Sequence, residues 1–153
     1  MLSKPEHGWS TVTIEDFEAP VSYLVDVPFD WLRACINGLK YHTPIALHID
    51  EEGVDNLITS YWFGTYIIVQ DWDEEETLHS YEETNYIDIA YMLYQDIKHY
   101  FEEWVNWSPF EDRPDDIVRR RKELQLLLDE IKQLLILEAK GKNKQYPGLS
   151  ENE

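Results

Sequence analysis

The sequence predicts an α+β fold: an antiparallel sheet of five or six strands covered by helices, with a long C-terminal helix. Three observations carry that expectation. Short runs rich in β-branched residues, separated by turn residues, fill the first half of the chain. Asn85 to Trp107 then has a helical period, with Ala90, Leu93, Tyr94, Ile97, Phe101 and Trp104 recurring at three- and four-residue steps. Finally, roughly Asp115 to Lys140 is a longer helical stretch of different composition.

Taken in order, Trp9 to Ile14 and Val21 to Val27 read as the first two strands, joined by a turn at Glu15-Asp16-Phe17-Glu18-Ala19. Pro28 opens a helix whose stripe is Phe29, Leu32, Ile36 and Leu39, and Pro44 prevents its continuation. Ile45 to Asp50 alternates, placing Ile45, Leu47 and Ile49 on one face and Ala46, His48 and Asp50 on the other. Leu57 to Phe63 and Thr65 to Trp72 make two more strands about Gly64, as a hairpin in preference to a bulge. Thr77 to Tyr81 is a short edge strand.

Thr84 or Asn85 can cap the Asn85–Trp107 helix, and Asp88 in its first turn suits the positive end of the dipole. Phe110 to Asp116 is a connector. In the last helix, Leu124, Leu128, Ile131 and Leu135 form a short seam that packs on its own domain or, alternatively, joins two copies. The organisation is therefore an acidic α+β domain over residues 1–112, a helix over 113–140 packed on it or extending from it, and a flexible tail over 141–153.

The charge is strongly asymmetric. The net charge is −18, yet residues 1–112 hold 23 acidic and 4 basic side chains, a balance of −19, while 113–153 hold 8 and 9, a balance of +1. The acidic part would repel nucleic-acid backbone and anionic membrane and attract a basic protein or a cation. The single Cys35 excludes an intramolecular disulfide and a Cys-rich zinc site. No apolar signal core or bilayer-length run occurs, so a cytoplasmic protein is expected.

Motifs for chemistry are sparse. Cys35 lies mid-helix beside an apolar stripe, without the surroundings that lower a thiol pKa. There is no HExxH, no GxGxxG and no P-loop, and DWDEEE lacks the glycine and ligand spacing of a calcium loop. No cofactor or dedicated metal site is expected. His48 and Asp50 share a strand face and define the alternative, a pocket for a small enzyme or ligand-binding domain. Recognition is the better-supported class. Trp72 sits in the acidic run Asp71, Asp73, Glu74, Glu75 and Glu76, an aromatic anchor ringed by carboxylates that suits a basic protein; its competing role is to fold back over the sheet edge. Arg119-Arg120-Arg121-Lys122 reads as a solvated helix face that pairs with the acidic body.

The opening HGWSTVTIEDFEAPVSYLVDVPFDWL, followed by a strand ending in IDEEG, looks like the plan of small bacterial proteins. In overall character, being short, acidic, cysteine-poor and α+β, the chain resembles immunity proteins that accompany polymorphic toxins. The likeness spans about residues 8–107 and carries over no functional residue. It implies a non-enzymatic module that binds and occludes a basic toxin.

Overall fold

The structure, a computed structural model, describes residues 1–73, 75–108, 113–142 and 146–149. Five of the six expected strands form close to where they are expected, the second forms over Phe17–Ser22 and not over Val21–Val27, whose last residue already belongs to a helix, and the strands do not form one sheet. Strands β1 (Trp9–Ile14) and β2 (Phe17–Ser22) make a separate antiparallel hairpin, and β3 (Ile45–Asp50), β4 (Asp55–Tyr61), β5 (Gly64–Gln70) and β6 (Glu76–Tyr81) form a four-stranded antiparallel meander in sequence order. The expected sheet of five or six strands is thus corrected to four. The hairpin turns earlier than its composition suggests. Glu15 adopts a left-handed conformation (φ 50°), so Ile14 already faces Phe17 across a two-residue turn, and Pro20 lies within β2 opposite Thr11. Burial follows β2's alternation, with Phe17, Ala19 and Val21 inside.

Helix α1 (Val27–Tyr41) begins with Pro28 in its first turn and ends where His42 takes a left-handed conformation, with Pro44 just beyond. Phe29, Leu32, Ile36 and Leu39 are buried together with Trp31 and Cys35. Trp31 also secures the sheet: its indole N–H donates to the His48 carbonyl on edge strand β3 at 3.0 Å. Helix α2 (Tyr86–His99) is held at its start by a capping box. The Asn85 side chain accepts from the Ile87 and Asp88 amides while the Asp88 carboxylate accepts from the Asn85 amide.

One continuous helix to Trp107 is not what forms. Tyr100 leaves helical geometry (φ −109°, ψ 41°) and a short α3 (Phe101–Val105) follows. The re-aimed turn buries Trp104 and Val105, and Trp107 beyond it donates its indole N–H to the Val25 carbonyl at 2.8 Å. Helix α4 (Pro114–Lys142) lies against α1, α2 and α3. Leu124, Leu128, Ile131 and Leu135 are at most 3% exposed in this packing, so the residues offered as a seam between copies are spent on the chain's own core. A homodimer through them would require undocking α4. Within the stretch expected to be a flexible tail, Tyr146 packs on Tyr91, and the Pro147 carbonyl accepts from the Tyr91 hydroxyl at 2.7 Å.

Arg120 ties these layers together. Its guanidinium donates to both carboxylate oxygens of Asp26 at 2.9 and 3.0 Å, and to the Val105 and Trp107 carbonyls at 3.0 and 2.7 Å. It also stacks over the Phe29 ring at 4.5 Å. Asp26, the residue before α1, makes no side-chain cap, because its carboxylate is taken by this fork-to-fork pair. Arg120, its side chain half-buried, is therefore a clamp between layers and not part of a freely solvated basic face.

Candidate functional site

The helices cover only one face of the meander. On that inner face Leu47, Ile49, Ile58 and Ile67 are 0–1% exposed. The outer face is a set of transverse rows fixed by the strand register. Leu57 of β4, Ile68 of β5 and Leu78 of β6 stand directly opposite one another, continuing His48 of β3, and are 37, 38 and 63% exposed. Beside this apolar row runs Asp50, Asp55, Gln70 and Glu76. Strand alternation explains the geometry: with a period of two, consecutive apolar pairs such as Leu57-Ile58 and Ile67-Ile68 place one member on each face.

The acidic row marks one end of the sheet, where the β3–β4 turn meets the β5–β6 loop. Asp50 and Asp55 are directly opposite, an unfavourable pairing of like charges. His48 relieves it by a 2.7 Å bond from its Nε2 to Asp55. In the β5–β6 loop the Asp71 carboxylate accepts from the Asp73 and Glu75 amides at 2.9 and 3.0 Å, closing a tight turn with Trp72 at its tip. Trp72 is 73% exposed, and the space beside it is made by Gly53 (φ 132°), where an added Cβ would fall 1.8 Å from the ring. One edge of the ring leans on the neighbouring turn while most of it faces solvent.

Of the residues expected to bind a partner, Asp71, Trp72, Asp73, Glu75 and Glu76 share this end of the sheet, and Glu74 lies outside the described residues. Asp71 differs in what it does, since its carboxylate builds the loop. His48 and Asp50 do share a face, but it is the open outer one; the His48 side chain is 53% exposed, and Asp50 accepts from the Glu52 amide at 2.6 Å. Among the described residues no three His, Cys, Asp or Glu side chains gather as a metal site. Cys35 is fully buried, and burial pushes its thiol well above the ordinary range.

At the opposite end of the sheet, Trp62 and Phe63 form the β4–β5 turn and are 40 and 66% exposed. Nearby, Tyr81 donates to Asp16 at 2.8 Å, and burial together with that carboxylate pushes the phenol up to about 12. The apolar row and this aromatic turn were not singled out from sequence, although the doubled apolar residues of β4 and β5 signal a sheet with two apolar faces. Searched against known protein families, curated proteins and solved structures, the chain matches none. Among the described residues no helix is long and apolar enough to cross a membrane.

Proposed function

We propose that this protein is a non-enzymatic binding module whose outer sheet face docks a basic protein and occludes it, in the manner of an immunity protein against a toxin. One observation carries the reading: an exposed apolar row, Leu57–Ile68–Leu78, lies beside a row to which Asp50, Asp55 and Glu76 contribute carboxylates, at the end of the sheet where Trp72 protrudes. An apolar centre with a charged rim is the anatomy of an interface, and a large aromatic side chain near it supplies the anchor. The carboxylates select a Lys- or Arg-rich surface and speed encounter with it. A nuclease fits that description, because an acidic face can occupy a surface built for phosphate. Occlusion needs no turnover, which agrees with a site whose groups are arranged across a sheet face.

The test compares capture by wild-type protein, by an apolar-row variant, Ile68→Asp, and by a rim variant carrying Trp72→Ala with Asp73→Asn, Glu75→Gln and Glu76→Gln. Bait is immobilised in lysate of the source organism at low and moderate salt, and folding is followed by circular dichroism. The expected result is one stoichiometric basic protein, weakened by salt and lost in both variants while their folding is kept. Equal capture by the wild type and by both variants, or a captured protein without a basic surface, overturns the reading.

A further inference from the structure

The strand order leaves β3 and β6 at the two edges of the meander, and the fold covers them differently. Which backbone groups point outward follows from the register. Tyr61 and Gly64 flank the two-residue β4–β5 turn, so they form a hydrogen-bonded pair, and bonded pairs recur at every second position: Thr59 with Tyr66, Leu57 with Ile68, and Asp55 with Gln70. Tyr66, Ile68 and Gln70 therefore spend their backbone groups on β4. Their opposites on β6, Ser80, Leu78 and Glu76, turn theirs to the free edge. The 3.1 Å bond from the Asp71 amide to the Glu75 carbonyl continues the complementary series, in which Thr77, His79 and Tyr81 bond to β5.

At the β3 edge the same alternation turns the His48 carbonyl outward, and there Trp31 of α1 donates to it at 3.0 Å. Among the described residues no further strand or isolated bridge lies beside β6, where Glu76, Thr77, Leu78 and Ser80 are exposed. A row of unpaired N–H and C=O groups is a template for one more strand. Charge decides which strand fits. Glu75 and Glu76 stand at one end of this edge and Glu82 and Glu83 at the other, and among the described residues none of these four carboxylates is held in an ion pair. At the Tyr81 end, Glu15, Asp16, Tyr81, Glu82 and Glu83 border a hollow of about 350 Å³. The Thr84 and Tyr81 hydroxyls donate to Glu15 and Asp16, which leaves Glu82 and Glu83 to meet an incoming cation. A second copy is selected against: antiparallel pairing about Leu78 would set Glu83 opposite Asp73 of the other copy, between chains that each carry −18.

We propose that the β6 edge takes an extended segment of a basic partner protein as a fifth strand, apolar at its centre and carrying Lys or Arg toward its ends. The outward backbone groups of Leu78 and Ser80 supply the hydrogen bonds, a side chain opposite Leu78 lengthens the row Leu57–Ile68–Leu78, and the carboxylates choose the sequence. The inference rests on the outer-face reading for the class of partner and adds how that partner is held.

The probe is an end-blocked, labelled peptide of about eight residues, Val and Thr at its centre and Lys at both ends, with Glu-ended peptide as the control. Two further versions of the Lys peptide are N-methylated at alternate residues, one set in each. Binding to the wild-type protein is read by anisotropy at low and moderate salt, and hydrogen exchange reads the individual β6 amides. The Lys peptide should bind at least about tenfold more tightly than the control and weaken as salt rises. One methylated version should lose at least about tenfold and the other stay within about twofold, because only alternate amides of an added strand face the edge. In the free protein the Leu78 and Ser80 amides should exchange quickly and that of His79 slowly, and the peptide should protect the first two. Ser80→Pro removes an N–H that β5 does not use, so it should keep the fold by circular dichroism and abolish peptide binding. Equal loss or equal retention by the two methylated peptides, or unchanged exchange at Leu78 and Ser80, overturns the proposal. Self-association of the protein that Ser80→Pro dissolves would make a second copy the occupant and would overturn it too. The outer-face reading fails separately: a basic protein captured from lysate equally by wild type and Ser80→Pro removes only the edge, whereas alternate-methyl discrimination without any captured basic protein removes only the outer face.

Discussion

Ile67 and Ile68 are chain neighbours of identical composition, yet the first is 0% exposed beneath the helices and the second is 38% exposed on the open side of the same strand. The contrast holds across the sheet. Ile58 and Ile67 face inward while Leu57 and Ile68 face outward, each paired with its counterpart on the neighbouring strand. On the inner face the apolar area is already removed from water and stabilises the fold by about 25 cal/mol per Å². The outer face leaves a little over a third of Leu57 and Ile68, and most of Leu78, in water. It contributes little to folding and becomes favourable only when a partner covers it, so stability and binding are separable by choosing the face.

The adjacent pair Ile67 and Ile68 separates the two faces most directly. Ile67→Ala leaves a cavity in a closed core and should cost about 2–4 kcal/mol, whereas Ile68→Ala should cost less than about 1 kcal/mol. Denaturant midpoints of the two variants measure this directly. Equal losses would mean that the outer face is covered in the free protein, and the proposed docking surface would lose its basis.

A somewhat smaller effect is expected from the clamp behind the inner face. Arg120→Ala strands the Asp26 carboxylate and two backbone carbonyls, and should destabilise the fold by about 2–3 kcal/mol. Arg120→Lys restores the charge without the two-pronged geometry, so it should recover less than half of that loss. Partner binding, measured well below the unfolding transition, should be unchanged in both variants. A binding defect in folded protein would show that the helical layer and the outer face are coupled.

How much of this was legible in the sequence depended on whether a feature was local. The alternation Ile45-Leu47-Ile49, the stripe of α1 and the Asn85 cap are set by residues a few positions apart, and they formed where periodicity and capping chemistry put them. The split into two sheets was not legible, because it depends on which strands pair and not on strand propensity. Arg120 illustrates the same limit: four consecutive basic residues look alike in sequence, and only the fold brings Asp26, 94 positions away, beneath one of them. For the candidate site, the acidic loop and Trp72 were visible as composition. The row Leu57–Ile68–Leu78 required the strand register.

The smallest expected effect lies where the two faces meet. Glu51, in the β3–β4 turn, accepts from the side-chain amide of Asn56, whose residue is 1% exposed on the inner face. Partial burial raises the Glu51 carboxyl above the ordinary value of 4.5, while the Asn56 bond pulls it back. An acid raised in the folded state holds its proton to a higher pH than in the unfolded chain. Its stabilising effect is therefore present at low pH and is lost as pH rises from the unfolded value through the folded one. At neutral pH the wild-type carboxylate is ionised and partly desolvated. Glu51→Gln keeps an acceptor for Asn56 without the charge, so it should gain stability at neutral pH, by less than about 0.5 kcal/mol at this half-buried site. The gain should disappear as pH falls through the raised Glu51 range, because the wild type then becomes neutral too. Unfolding midpoints at neutral pH and below 4.5 decide it. A neutral-pH loss would instead mean that the Glu51 charge supports the turn that holds Trp72 against Gly53, and then its burial would serve the outer face.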